Sequence, residues 1–208
     1  SSCSNVEDLF SFNKFYYKSG PERVQLDSEN KKVVNIHPVN IDALRIEGAF
    51  RLILVKYGQR AETLFSEIEL VRYSSAISKA LKDATKNQDV VFTVEGWYNK
   101  EGFSDNKVTS GRVFYNKSGL NVIFGSILRD GNKSDTDPMV GKGVNPDLKL
   151  NPYVPGSRYQ TISSPYVLTT IPNAGVFRPK EAKGRKDWLV FTTKALRARG
   201  PLSEEDKR

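Results

Sequence analysis

The chain has 208 residues, of which 38% are hydrophobic and 27% charged. That supplies enough apolar side chain for one core, excludes bulk disorder, and leaves room for one domain or at most two small ones. The net charge is +8 with a single histidine and a single cysteine; a zinc site built from three or four His and Cys ligands lacks its donors, and no apolar run reaches the roughly 18–20 residues of a membrane-spanning helix.

The chain opens Ser1-Ser2-Cys3-Ser4, and the 205 residues after Cys3 hold no other cysteine. A small residue directly before an N-terminal cysteine resembles the cleavage box of bacterial lipoproteins, in which a signal peptidase cuts just before a lipidated cysteine. The resemblance covers these four residues; the branched aliphatic position of the box would lie upstream of Ser1. It implies a lipid-anchor region over residues 1–4, lipidation of Cys3, and a body facing the periplasm of a bacterial cell envelope, with the outer membrane as the expected membrane. A cysteine-free body fits an oxidising compartment, and the several acyl chains of a lipoprotein anchor firmly. A chain that begins with Ser and not Met is expected to have lost residues ahead of it, which the resemblance reads as a leader.

Residues 5–201 are expected to form a single domain. Residues 5–17 are rich in aromatics (Phe10, Phe12, Phe15, Tyr16, Tyr17), and Leu9–Phe12 fits either a strand or the start of a helix. Ser19-Gly20-Pro21 breaks this element, and the polar stretch 18–35 reads as loop. Asn40, after Pro38, suits the N-cap of a short helix running to Glu47 and ended by Gly48. Arg51–Tyr57 reads as a buried strand. Ser66-Glu67-Ile68-Glu69 is a capping box, and Leu70, Tyr73, Ile77, Ala80, Leu81 and Ala84 follow at helical spacing towards a stop at Asn87.

Val90–Tyr98 is β-branched, aromatic and alternating, hence a strand. Val108–Tyr115 and Leu120–Leu128 flank Asn116-Lys117-Ser118-Gly119, a hairpin signal. Residues 129–158 form a long Gly/Pro-rich loop, with Pro138, Pro146, Pro152 and Pro155 among its punctuation; loops of this length are functional or disordered. Short strands are expected at Tyr159–Ile162, Tyr166–Thr170 and Asp187–Phe191. A last helical turn follows at 193–199, stopped by Gly200-Pro201, and 202–208 is a polar tail. This succession predicts an α+β fold: a mostly antiparallel sheet with one long amphipathic helix packed on one face.

Charge is placed unevenly. Residues 1–104 hold 14 Lys+Arg against 14 Asp+Glu, a net of zero, whereas 105–208 hold 18 against 10, a net of +8. The excess is densest over 177–199. Lys180, Lys183, Arg185 and Lys186 share one Gly-containing loop there, and with Arg197 and Arg199 they form the candidate anion-binding set, since clustered cations concentrate and steer anions. Trp188 could stack on a base or sugar ring beside them, but within Trp188-Leu189-Val190-Phe191 it reads as buried strand.

Catalytic patterns are incomplete. His37, beside Pro38, is the only histidine available to a Ser-His-Asp triad, and no nucleophile-elbow sequence accompanies it. Gly141-Lys142-Gly143 echoes a P-loop but lacks its first glycine and its Ser or Thr. Residues 130–137 resemble the front of a calcium loop, yet Asp135 and Gly141 stand where Gly and Glu are required. Glu95, Glu101 and Asp105 flank Trp97 and Phe103, a pairing of acids and aromatics that a sugar-cleaving site could use if two carboxylates stood about 5–9 Å apart. No catalytic residue, metal or cofactor is assigned. The expected function is that of a non-catalytic cell-envelope lipoprotein binding an anionic lipid, lipopolysaccharide, a cell-wall polymer or another envelope protein. The alternatives are a nucleic-acid-binding protein using the basic C-terminal half and a carboxylate-based polysaccharide hydrolase.

Overall fold

The structure, a computed structural model, describes residues 14–30, 32–57, 59–100, 103–131 and 152–208; the side chains of residues 57 and 97–105 also lie outside the description. The architecture is α+β and mainly antiparallel sheet. Ten strands and two helices are present among the described residues. The strands are β1 (Phe15–Ser19), β2 (Glu22–Asp27), β3 (Leu54–Tyr57), β4 (Arg60–Thr63), β5 (Asp89–Lys100), β6 (Phe103–Asn116), β7 (Gly119–Asp130), β8 (Val167–Thr169), β9 (Val176–Phe177) and β10 (Trp188–Phe191). The helices are α1 (Ala43–Phe50) and α2 (Glu67–Asp83). A seven-stranded sheet runs β1-β2-β5-β6-β7-β10-β9, and a three-stranded sheet runs β4-β3-β8.

Local signals place several of these elements. Ser66 Oγ accepts from the Glu69 amide while Glu69 Oε1 accepts from the Ser66 amide, so both ends of the capping box are made and α2 starts where that box predicts. Gly119, at φ 128°, closes the β6–β7 hairpin in a conformation that disfavours a side chain. Other expectations are corrected. The stretch 18–35 is not all loop: Val24 and Leu26 are buried in alternation with half-buried polar residues, and this makes β2. Helix α1 is capped by Asp42, not Asn40, and continues through Gly48. Gly48 sits inside the helix because Arg197 crosses it; a Cβ there would lie 1.9 Å from the Arg197 carbonyl oxygen. Residues 159–162 form no strand, and the strand expected at 166–170 is β8, which joins the small sheet through β3.

The main core lies between the helices and one face of the large sheet. Ile46, Phe50, Leu70, Ile77 and Leu81 from the helices meet Val24, Val90, Phe92, Val122 and Phe124 from the strands. Phe92 anchors it, with T-shaped contacts to Phe65 and Phe124.

The opposite face carries a row of cross-strand partners, Gln25, Val91, Arg112, Ile123 and Trp188. Residues 152–160 cross this face as a strap. Its carbonyls are taken by side chains: Ser126 Oγ donates to Pro152 O (2.7 Å), Ser110 Oγ to Val154 O (2.7 Å) and Arg112 Nε to Gly156 O (2.7 Å). The strap lies close because the sheet is glycine at Gly125, where a Cβ would stand 2.0 Å from the Val154 oxygen.

Beneath the strap a buried ionic cluster joins three strands, β2, β5 and β6, to the strap. Arg112 donates to Asp89 and Asp27 (2.8 Å each), and Arg158 donates to Asp89 and to Glu29 (3.0 Å). The Arg158 guanidinium also covers the Phe114 ring, 3.7 Å from its centroid. Burial alone would raise the Asp89 carboxyl, but the hydrogen bonds and charge of Arg158, with Arg112 and Asn35, hold it below its ordinary value. Among the described residues no helix is long and apolar enough to cross a membrane.

Candidate functional site

The basic loop predicted to bind anions joins β9 to β10. After Pro179 the chain makes a single 3-10 turn, Lys180–Ala182, and reverses through two residues at positive φ, Lys183 (41°) and Gly184 (82°). Gly184 adopts this conformation freely, whereas Lys183 does so at a steric cost. Arg178 holds the loop closed: its Nη1 donates to Lys186 O (2.6 Å) and its Nη2 to Leu168 O (3.1 Å). The result is a fixed turn from which Lys180, Lys183 and Lys186 stand exposed.

Arg185 turns the other way. Its Nε and Nη2 pair with the two carboxylate oxygens of buried Asp187 at 2.9 Å each. Its Nη1 donates to Arg158 O (3.0 Å), and Nη2 also reaches Ser157 O (2.7 Å) and Gln160 O (3.0 Å), three strap carbonyls in all. The sequence grouped Arg185 with the lysines as an anion ligand; its hydrogen bonds instead make it a brace between the loop and the strap. Arg199 is likewise engaged, donating to Gly48 O and to Ala195 O (2.8 Å), and burial lowers its pKa. Arg197 is exposed, but its backbone packs on α1. Lys183, Arg185 and Lys186 are therefore brought together, Lys180 lies outside the groove described next, and Arg197 and Arg199 belong to the surface beside α1.

Between the loop and residues 161–167 runs a groove of about 410 Å³, a size typical of small-ligand sites. Lys183, Gly184 and Lys186 form one wall with Arg185 and Asp187 at its base. Thr161, Ser163 and Ser164 line the other, and Ile127, Ile162, Tyr166 and Val167 supply apolar surface. Asp187 ties the walls together, accepting from the Ile162 amide at 3.2 Å as well as from Arg185. Sequence reading missed the hydroxyl wall: it assigned Thr161 to a strand over 159–162 that does not form, and the approach of this segment to 183–187 depends on a partner distant in sequence; Ser163-Ser164-Pro165 was the available signal that the chain turns before β8.

The remaining sequence candidates fall as follows. His37 is buried, with Nδ1 2.8 Å from Gln88 O and Nε2 accepting from the Tyr115 amide (2.9 Å), so it is a neutral structural histidine. Trp188 is buried strand and donates to Asn121 Oδ1 (2.9 Å). Glu95 accepts from Asn106 and from the Tyr153 hydroxyl (3.4 Å). Cys3, Glu101, most of the calcium-like loop 130–137 and Gly141-Lys142-Gly143 lie outside the described residues, as do the side chains of Trp97, Phe103 and Asp105. Among the described residues no group of three or more His, Cys, Asp or Glu side chains is placed to hold a metal ion. No family model matches the chain, and neither a curated protein nor a solved structure is significantly similar to it.

Proposed function

We propose that this protein is a non-catalytic binding domain of the bacterial cell envelope, anchored by a lipid on Cys3, that holds an anionic envelope component in the groove between 161–167 and 183–187. One observation carries the binding reading: two exposed ammonium groups, Lys183 and Lys186, line a groove of about 410 Å³ opposite a wall of hydroxyl side chains. Such an arrangement offers an anion charge and directed hydrogen bonds together. The compartment is supported by the resemblance at Ser1-Ser2-Cys3-Ser4 and by the cysteine-free body.

The test measures binding to anionic phospholipid vesicles, lipopolysaccharide, acidic cell-wall polymer and a single-stranded nucleic acid at low and high salt. The double variant Lys183→Asn, Lys186→Gln is compared throughout; Asn tolerates the positive φ at 183. Binding that weakens with salt and is lost in the variant, at unchanged melting temperature, supports the proposal. Equal binding by the variant removes the groove from it, and tighter binding to nucleic acid than to every envelope anion favours the nucleic-acid alternative. Mass measurement of the N-terminal peptide from the native membrane fraction tests the anchor: a diacylglyceryl group on Cys3 supports it, and unmodified Cys3 in the soluble fraction overturns it.

A further inference from the structure

We infer that the ligand of this groove is an acidic sugar, a pyranose carrying one carboxylate within a longer polysaccharide; the inference rests on the anion-binding reading above. The first argument is charge. Among the described residues lining the groove, the cations are Lys183, Lys186 and Arg185, and Arg185 is matched oxygen for nitrogen by Asp187. That leaves Lys183 and Lys186 as the cations on offer, enough for an occupant with one or two negative charges. A nucleic-acid strand or polyphosphate needs cations repeated along its path.

The second argument is the opposite wall. Ser163 and Ser164 carry neutral hydroxyls that both donate and accept, the complement of sugar hydroxyls, while Thr161 Oγ1 donates to Ile162 O (3.5 Å) and offers its oxygen as an acceptor. Ser164 Oγ accepts from the Tyr166 amide at 3.1 Å, which fixes the oxygen and leaves its O–H to donate. A hydrocarbon chain would strip water from these hydroxyls and return no hydrogen bond, which disfavours an acyl occupant.

The third is the apolar surface. Ile162 and Tyr166 are half-buried, and Val167 remains 44% exposed although it is in β8. Aliphatic and aromatic side chains of this kind take the C–H face of a pyranose, which a free phosphate or carboxylate does not possess. Charge on one wall, hydroxyls on the other and apolar surface in the same groove match the three chemical faces of one acidic sugar residue.

The test is calorimetric titration of the full chain with short oligogalacturonates and oligoglucuronates, their methyl esters, and inorganic tripolyphosphate. The expected result is binding of at least one free-acid oligosaccharide, weakened about tenfold or more by esterification. Ser163→Ala with Ser164→Ala should weaken oligosaccharide binding and leave any tripolyphosphate binding unchanged, whereas Lys183→Asn should weaken both. Melting temperatures confirm that each variant folds. If tripolyphosphate binds as tightly as the sugars and the serine variants alter neither, the acidic-sugar inference is overturned while the anion-binding reading stands. If neither the oligosaccharides nor tripolyphosphate bind, both are overturned.

Discussion

Arg158 and Asp89 meet beneath the strap through two hydrogen bonds, Nη1 to Oδ2 at 2.6 Å and Nη2 to Oδ1 at 2.8 Å. The pair connects a segment far along the chain to the first residue of β5, in a layer where Asp89 is 2% exposed. A bidentate guanidinium–carboxylate pair of this kind fixes orientation as well as distance. It ties the end of the strap to β5, and Asp187 and Arg185 then hold the segment that follows through the Ile162 amide and the Gln160 carbonyl.

Asp89→Ala should be strongly destabilising. Removing the carboxylate leaves Arg112 and Arg158 facing each other in a buried site, where Asp27 and Glu29 are the carboxylates paired with them among the described residues. Loss of one partner from a buried pair costs about 3–5 kcal/mol. Urea unfolding of the variant should show a lowered midpoint, and Asp89→Asn should fall between it and the parent. A midpoint within error of the parent would show that the cluster contributes little.

His37 makes stability depend on pH. Burial pushes its imidazole below the ordinary 6.5, against the Gln88 carbonyl and the charge of Asp89, which push it up, and with Arg158, which pushes it down. Protonated Nε2 would also face the Tyr115 amide it now accepts from. The unfolded chain thus binds this proton more readily than the folded one. The stability contribution is complete above 6.5 and is lost as pH falls from there towards the lower folded value. Melting temperature should decline as pH drops below about 6.5, and His37→Gln should flatten that decline. Identical slopes in the two proteins would exclude His37 as the cause.

Gly125→Ala should disturb the strap. The added Cβ would stand 2.0 Å from Val154 O and 2.7 Å from the Pro155 carbonyl carbon, both backbone atoms with little freedom to move. Overpacking of this sort costs about 1–3 kcal/mol. Hydrogen exchange of amides 153–158 should speed up in the variant more than exchange in β5. Uniform protection in both proteins would mean that the strap adapts without strain.

Arg185 and Lys186 are adjacent yet should behave differently. Arg185→Ala removes donors from three strap carbonyls and leaves Asp187 without its partner, a loss of about 2–4 kcal/mol. Lys186→Ala removes an exposed ammonium and should leave stability within about 0.5 kcal/mol of the parent. Comparing melting temperatures before any binding measurement separates the brace from the candidate ligand. Equal effects of the two substitutions would contradict the division of roles drawn from the hydrogen bonds.

The elements legible in the sequence are those whose determinants lie within a few residues. Ser66 and Glu69 satisfy each other's amides three residues apart, so the start of α2 needs no distant partner. The turn at 117–118 was marked by Asn116 and Gly119, and the strands either side by their β-branched residues. By contrast β2, a six-residue segment with two buried apolar positions, owes its state to pairing with β5, about seventy residues away. Gly48 looked like a helix stop because local chemistry shows the freedom of glycine and cannot show Arg197 pressing against it.

The same division holds for the candidate site. The excess positive charge of the second half, the loop shared by Lys183, Arg185 and Lys186, and the one cysteine at the start can all be read from the chain without coordinates. These are properties of composition and short spacing. Which of those cations remains available depends on long-range packing. Arg185 and Arg199 look like any surface arginine until carbonyls from the strap and from α1 arrive to take their donors. The groove, too, needed residues 161–167 to be brought opposite 183–187, and Asp187 does so by bonding the Ile162 amide and Arg185 at once. Charge is a property of each residue alone, but whether it is paired depends on neighbours that only long-range packing supplies.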